Sequence, residues 1–214
     1  MTKQVVILGG HGDGLVAAQV ILDMARAGQD IVLAGFLNDH NPPGSDIGGY
    51  PVLGRTGDWH ELPAATVFHF ALLSVGKMQQ RADLIRSFGI PPERVVSLIH
   101  PSTQLASDCI VGAGALICAY AVLQPGVRTG VCCSIRAGAN LGHDVRLDDF
   151  VYVGPNATLC GYASVDCGAY VAPNAVVRDR TEVGAFAVLA AGSVAYKSLP
   201  PGSTWIGNPA RRSV

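Results

Sequence analysis

Between Ile99 and Leu189 every sixth residue but one is aliphatic: Ile99, Leu105, Val111, Ile117, Leu123, Thr129, Ile135, Leu141, Leu147, Val153, Leu159, Val165, Val171, Val177, Val183 and Leu189. A period of six belongs to neither an α-helix nor an alternating strand; it marks a chain that turns in equal steps and stacks on itself. Each hexad then supplies a short strand and a turn, the aliphatic side chain points inward, and successive coils share one continuous core. Four positions beyond each aliphatic the side chain is usually small, as at Ala115, Ala121, Ala139, Ala157, Ala163, Ala169, Ala175 and Ala187, and the residue just after it is often glycine, as at Gly112, Gly130, Gly142, Gly154 and Gly184. Both are expected to serve the corners. No insertion breaks the register, so no long loop leaves this parallel β-helix. Periodicity alone leaves its hand open, since connections between parallel strands are right-handed as a general rule.

The first part of the chain follows other rules. Apolar, β-branched runs at Gln4–Leu8, Ile31–Leu37, Thr66–Leu73 and Arg94–Leu98 are separated by helical patterns at Gly14–Ala27 and Met78–Phe88. This predicts a small α/β unit of βαβαβ type with a parallel sheet covered on both faces, whose ligands bind beyond the carboxyl ends of the strands. Residues 1–96 are assigned to this Rossmann-like domain and 97–214 to the β-helix with its tail.

Composition narrows the function classes. The charges are nearly balanced, with 15 Lys and Arg against 16 Asp and Glu, so nothing draws the chain to nucleic acid or to an anionic membrane. Only 14% of residues are charged and 49% are apolar, which excludes a disordered chain or a coiled coil. No apolar run approaches the ~20 residues needed to span a bilayer, and no signal-peptide pattern opens the chain, so a cytoplasmic location is expected. The six cysteines show no C-x-x-C pair and no zinc-finger spacing; reduced, mostly buried thiols are expected.

Three loops could hold a ligand on the rim of the α/β domain. Gly9-Gly10-His11-Gly12-Asp13-Gly14 joins the first strand to the first helix, whose free amides can take phosphate oxygens. It approximates the dinucleotide fingerprint without matching it fully. Asn38-Asp39 ends the second strand, where an acid can accept hydrogen bonds from a ribose or a base. Ser74-Val75-Gly76 forms the third turn. In the β-helix, His143 stands two residues after an inward Leu141, so it should face outward from a turn, and Asp144 follows it directly. An imidazole that titrates near neutrality suits a general base, and an adjacent carboxylate favours its protonated form. A metal centre of three histidines is not expected, because His100 and His143 are the only histidines in this part, and His100, before Pro101 at the domain joint, is given a structural role.

The hexad array, the central Leu141-Gly142-His143-Asp144 and the tail Pro200-Pro201-Gly202-Ser203-Thr204-Trp205-Ile206-Gly207-Asn208-Pro209-Ala210-Arg211 resemble the left-handed β-helix acyltransferases. With the N-terminal unit, the chain resembles end to end the bacterial nucleotide-sugar N-acetyltransferases, whose relatives include sialic acid O-acetyltransferases. The resemblance implies a left-handed helix, a homotrimer with active sites at subunit boundaries, and acetyl-CoA as co-substrate. It implies His143 as general base supported by Asp144, and direct transfer to the amine of a nucleotide-linked sugar, expected to be a 4-amino-4,6-dideoxy sugar, without an acyl-enzyme or a metal. The alternative it leaves is O-acetylation of a sialic acid or another small acceptor. It further implies His11, Gly12, Asp13, Asn38, Asp39 and Gly76 at the nucleotide-sugar, and Tyr152, Pro173 and Ala191 along the coenzyme. Two positions depart from the family pattern: relatives often carry a histidine where this chain has Tyr152, and an asparagine where it has Arg136, whose charge could suit an anionic acceptor.

Overall fold

The computed structural model describes residues 2–213. The N-terminal part is a five-stranded sheet built on β1 (Lys3–Gly9), α1 (Asp13–Arg26), β2 (Ile31–Leu37), β3 (Asp46–Ile47), β4 (Tyr50–Gly54), β5 (Val67–Ala71) and α2 (Met78–Ser87). The strand order is β3-β4-β2-β1-β5, parallel except for the β3–β4 hairpin. Alternate residues of β1 serve opposite faces: Val5 and Ile7 pack with Ile21 and Met24 of α1, whereas Val6 and Leu8 pack with Ala82 and Ile85 of α2. A strand buried on both faces reads as a continuous apolar run, as β1 does.

The structure adds one feature to the sequence reading and changes another. The crossover between β2 and β5, where no helical pattern was read, passes through the β3–β4 hairpin and a 3-10 helix at Thr56–Glu61. The Arg94–Leu98 run is not a strand of this sheet. Pro91 and Pro92 remove two backbone donors and start a 3-10 turn, Pro92–Arg94, after which Val95 makes a single bridge to Phe68 and Leu98–Ile99 joins the next domain.

The remainder is a left-handed parallel β-helix with three faces. Two-residue strands stack into a long face of eight strands, a middle face of six and a short face of four. The aliphatic hexad positions fill the core: Ile117, Ile135, Leu141, Val153, Leu159, Val171, Val177, Val183 and Leu189 are fully buried. Burial of each is worth about 1.5–3 kcal/mol. Leu105 departs from the pattern, 40% exposed, since it lies in the first coil with stacked chain on one side only.

The corner glycines have a different task from the one expected. Every sixth residue from Gly114 to Gly192 has positive φ, but in most coils that residue is large, such as Asp144, Phe150, Tyr162 or Arg180. The glycines after the aliphatic positions do not share this conformation. They admit the next coil: a Cβ at Gly142 would stand 2.8 Å from the Gly161 amide nitrogen, and one at Gly184 2.7 Å from that of Pro201.

The α/β domain docks on the long face. Leu98, Leu116 and Cys118 join the core of α1, and Cys132 and Phe150 join that of α2. His69 of β5 is buried at this joint; its Nδ1 donates to the Val96 carbonyl, and its Nε2 has no partner among the described residues. No helix among those residues is long and apolar enough to cross a membrane.

Candidate active site

The carboxyl ends of β1, β2 and β5 open into a cavity of about 420 Å³. Its walls include Gly9, Gly10, His11, Asp13, Asn38, Asp39, Ser74 and Arg81. Gly12, with φ 74°, precedes α1, and its carbonyl accepts the amides of Leu15 and Val16. The turn therefore ends on helix amides that can donate to phosphate oxygens. Two of the anticipated ligand contacts are engaged within the protein. Asn38 donates through Nδ2 to the Gly9 carbonyl, and its Oδ1 accepts the amides of His40 and Asn41, pinning the loop. Asp39 accepts both the amide and the hydroxyl of Thr56. Gly76 is absent from these walls; it lines a neighbouring cavity of about 230 Å³ between the start of α2 and Tyr170 of the long face. Arg81 was not anticipated, although the helical spacing of α2 could have turned it toward the strand ends.

His143 stands on the edge between the middle and short faces, after the strand Asn140–Leu141 and before Arg146–Leu147. That edge lies opposite the long face, which carries the α/β domain of the same chain. Its side chain is 53% exposed, and Nδ1 lies 3.0 Å from Oδ2 of Asp144. The carboxylate accepts an N–H from Nδ1, which selects the tautomer with a free lone pair on Nε2. The positive φ of Asp144 turns the carboxylate onto the ring of the residue before it. One coil on, Tyr162 meets the imidazole edge-on at 5.0 Å and Arg180 lies 4.5 Å over the Tyr162 ring. Between them Gly161 leaves room: a Cβ there would be 2.6 Å from Nε2. Gly161→Ala is therefore expected to shift the imidazole and lower turnover about tenfold or more, with little change in unfolding midpoint; steady-state kinetics and urea unfolding on the same variant check this.

The remaining candidates lie on or beside the long face. Pro173 and Ala191 occupy the edge between the long and middle faces, in the same column as Ala119, Ala137 and Pro155. Tyr152 pairs with Ser134 and Tyr170 along the long face, edge-on to the Tyr170 ring at 5.2 Å. Burial pushes the Tyr152 phenol up to about 12, partly opposed by the Arg136 charge, so it remains a hydrogen-bond donor at neutral pH. Arg136 does not stand free for an anion: Nη1 binds Oδ1 of Asp13 at 2.9 Å, and the guanidinium lies 5.5 Å over Tyr152.

At the joint, His100 Nε2 lies 3.3 Å from Asp23 and Nδ1 lies 2.8 Å from the Ser102 hydroxyl. This is a serine beside an imidazole, which the sequence did not suggest. The same nitrogen accepts the Ser102 amide, and the hydroxyl accepts the Tyr120 amide, so the group closes a turn instead of forming a nucleophile. All six cysteines are free, and burial raises the thiols of Cys132 and Cys133, which keeps them protonated. Among the described residues no group of three His, Cys, Asp or Glu could hold a metal ion.

A left-handed β-helix that carries an outward histidine on one edge and a nucleotide-sized cavity in an attached α/β domain defines a class of acyl-transfer enzymes, and the comparisons fall in it. No family model matches the chain. It is 26% identical over 174 residues to the GDP-perosamine N-acetyltransferase of Escherichia coli O157:H7, covering 78% of this chain and 77% of that protein. The acetyltransferase domain of PglB from Neisseria gonorrhoeae FA1090, solved with acetyl coenzyme A, superposes with a TM-score of 0.86 at 28% identity over 100% of both chains. A histidine-to-asparagine variant of perosamine N-acetyltransferase from Caulobacter crescentus, solved with CoA and GDP-perosamine, gives 0.85 at 26% identity over 100% of this chain and 98% of that one. The relatives and structural neighbours of this chain thus include perosamine N-acetyltransferases and the acetyltransferase domain of PglB.

Proposed function

We propose that the chain transfers the acetyl group of acetyl-CoA to the amine of a nucleotide-linked amino sugar. The observation that carries this reading is the superposition over the whole chain, both domains included, on an enzyme solved with CoA and GDP-perosamine. The nucleotide end belongs in the 420 Å³ cavity, with phosphate oxygens on the amides after Gly10 and near Arg81. The pantetheine arm runs along the edge that carries Pro173 and Ala191, past Tyr152. As the sugar amine attacks the thioester carbon, Nε2 of His143 takes the amine proton, and Asp144 balances the imidazolium charge. The tetrahedral adduct then collapses, the C–S bond breaks, and the imidazolium returns the proton to the departing sulfur.

His143 and the nucleotide cavity of one chain lie on opposite sides of the prism. The site is therefore completed between subunits, with His143 of one chain serving the cavity of its neighbour, and a homotrimer closes this arrangement with three equivalent sites. The acceptor is a 4-amino-4,6-dideoxy sugar, and the enzyme works in the cytoplasm.

The test mixes the protein with acetyl-CoA and UDP-, dTDP- and GDP-linked 4-amino-4,6-dideoxy sugars, following free thiol and product mass. One acetyl group gained on one nucleotide-sugar, stable to mild base as an amide, is the expected result. A base-labile product would mean transfer to oxygen, and no thiol release with any acceptor would overturn the reading. Light scattering of the same sample checks the trimer.

A further inference from the structure

Two arginines on the short face have no counter-charge. Arg128 and Arg146 begin the paired strands Arg128–Thr129 and Arg146–Leu147 and stand directly opposite each other. Both are exposed, while Thr129 and Leu147 turn into the core side. Neither guanidinium makes a hydrogen bond or an ion pair among the described residues. Like charges set opposite one another on adjacent strands destabilise a sheet. In the next two coils the same column holds Ser164 and Glu182, and in the coil before it holds Ile110, so the positive charge is confined to two successive coils.

Those coils are level with the nucleotide cavity. Arg136, His143 and Arg146 belong to one coil, and Arg136 binds Asp13 of the cavity wall. The cavity is short of cations. Among the described residues Arg81 is the only lysine or arginine on its walls, which also carry the carboxylates of Asp13 and Asp39, whereas a nucleoside diphosphate brings more than one negative charge. Within one chain the two arginines do not make up this deficit, because the short and long faces look in different directions and neither arginine lines the cavity.

A homotrimer in which His143 meets the neighbour's cavity sets the edge between the middle and short faces of one prism against the edge between the long and middle faces of the next. The middle faces then turn toward the threefold axis, and the short face of one chain turns toward the domain docked on the long face of its neighbour. Rotation about an axis along the prisms keeps each coil at its own height. We propose, resting on the nucleotide-sugar reading above, that Arg128 and Arg146 of one subunit bind the diphosphate of the nucleotide-sugar held in the neighbour's cavity. The reach fits: Arg146 stands three residues beyond His143, about 10 Å of extended chain, and the diphosphate lies one pyranose ring from the amine on which Nε2 acts. A guanidinium pairs with phosphate oxygens through two parallel N–H donors. The helix amides and Arg81 of the partner subunit take the other side of the phosphates.

Calorimetric titration with UDP, dTDP and GDP, with their nucleosides and with CoA, tests this on wild type, Arg128→Ala, Arg146→Ala and the double variant. Wild type is expected to bind at least one diphosphate more tightly than its nucleoside. The double variant should bind that diphosphate about tenfold or more weakly, the scale of lost charge-assisted hydrogen bonds, and each single variant should lose less. Nucleoside and CoA affinities should hold, and the unfolding midpoint should not fall, since a repulsive pair has been removed. Placement across the boundary has its own readout. Co-expression of the double variant with Arg81→Glu, under two different tags, yields mixed trimers in which one boundary joins an intact cavity to intact arginines. These should regain one site of wild-type affinity, whereas a site completed within one chain regains none. Unchanged diphosphate affinity in the double variant, an equal loss for nucleoside or CoA, or mixed trimers that regain no site would each overturn the proposal alone. Wild type that binds no nucleotide at all overturns the underlying reading as well.

Discussion

Replacing His143 by alanine is expected to lower turnover about a hundredfold or more while acetyl-CoA still binds, the usual scale for a lost general base. The geometry makes this a clean experiment. The imidazole is half exposed on an outer edge and contributes nothing to the aliphatic core, so the variant should fold with an unchanged unfolding midpoint. Its Nε2 lone pair is free because Asp144 holds Nδ1. Asp144→Asn should therefore produce a smaller loss, since the ring stays in place but the imidazolium loses its counter-charge. Thiol release under saturating acceptor, with CoA affinity measured on the same preparations, checks both. Unchanged turnover in His143→Ala would remove the residue from the mechanism.

The second large effect concerns stability in acid. His69 is fully enclosed at the joint between the two domains, and burial lowers its ring to about 4 from an ordinary value of 6.5, against the opposing pull of its bond to the Val96 carbonyl. The folded state thus holds the neutral ring while the unfolded chain takes up a proton below pH 6.5. A lowered folded value contributes stability that is complete above 6.5 and is lost as the pH falls toward 4. Over that window the loss from this one group amounts to about 3 kcal/mol. Urea unfolding of wild type and His69→Phe at pH 7 and pH 4 measures it. The variant starts from its own stability at pH 7, because it lacks the bond to Val96, but it should lose less than wild type on acidification. Equal losses in the two proteins would show that the proton goes elsewhere.

The same physical distinction explains what could be read in the chain and what could not. The prism is legible because one requirement, an aliphatic residue facing inward, recurs at a constant interval from Ile117 to Leu189, and each instance reports on the same core. The glycines between were misread because two different demands use small residues at neighbouring positions. Left-handed backbone at a corner is tolerated by Asp144, Tyr162 and Arg180, whereas close approach of the next coil is what excludes a Cβ at Gly142 and Gly184. The 94–98 segment looked like a strand by its apolar content, yet the prolines just before it start a 3-10 turn that runs into Arg94, and Val95 makes only a single bridge to the sheet.

Within the candidate site, local sequence placed residues but not their partners. That His143 faces outward, and that Asp144 follows it, comes from the hexad phase alone. That Asn38 and Asp39 are already engaged, by Gly9, His40 and Asn41 and by Thr56, depends on loops that carry no periodic signal. That Arg136 is neutralised by Asp13, 123 residues away, depends on how the α/β unit docks against the long face. Repetition and burial are short-range demands, so the sequence by itself determined the coil, its core and the outward histidine. Charge pairing and cavity shape arise between segments remote in the chain, so only the tertiary structure decided which polar groups remain free to meet a ligand.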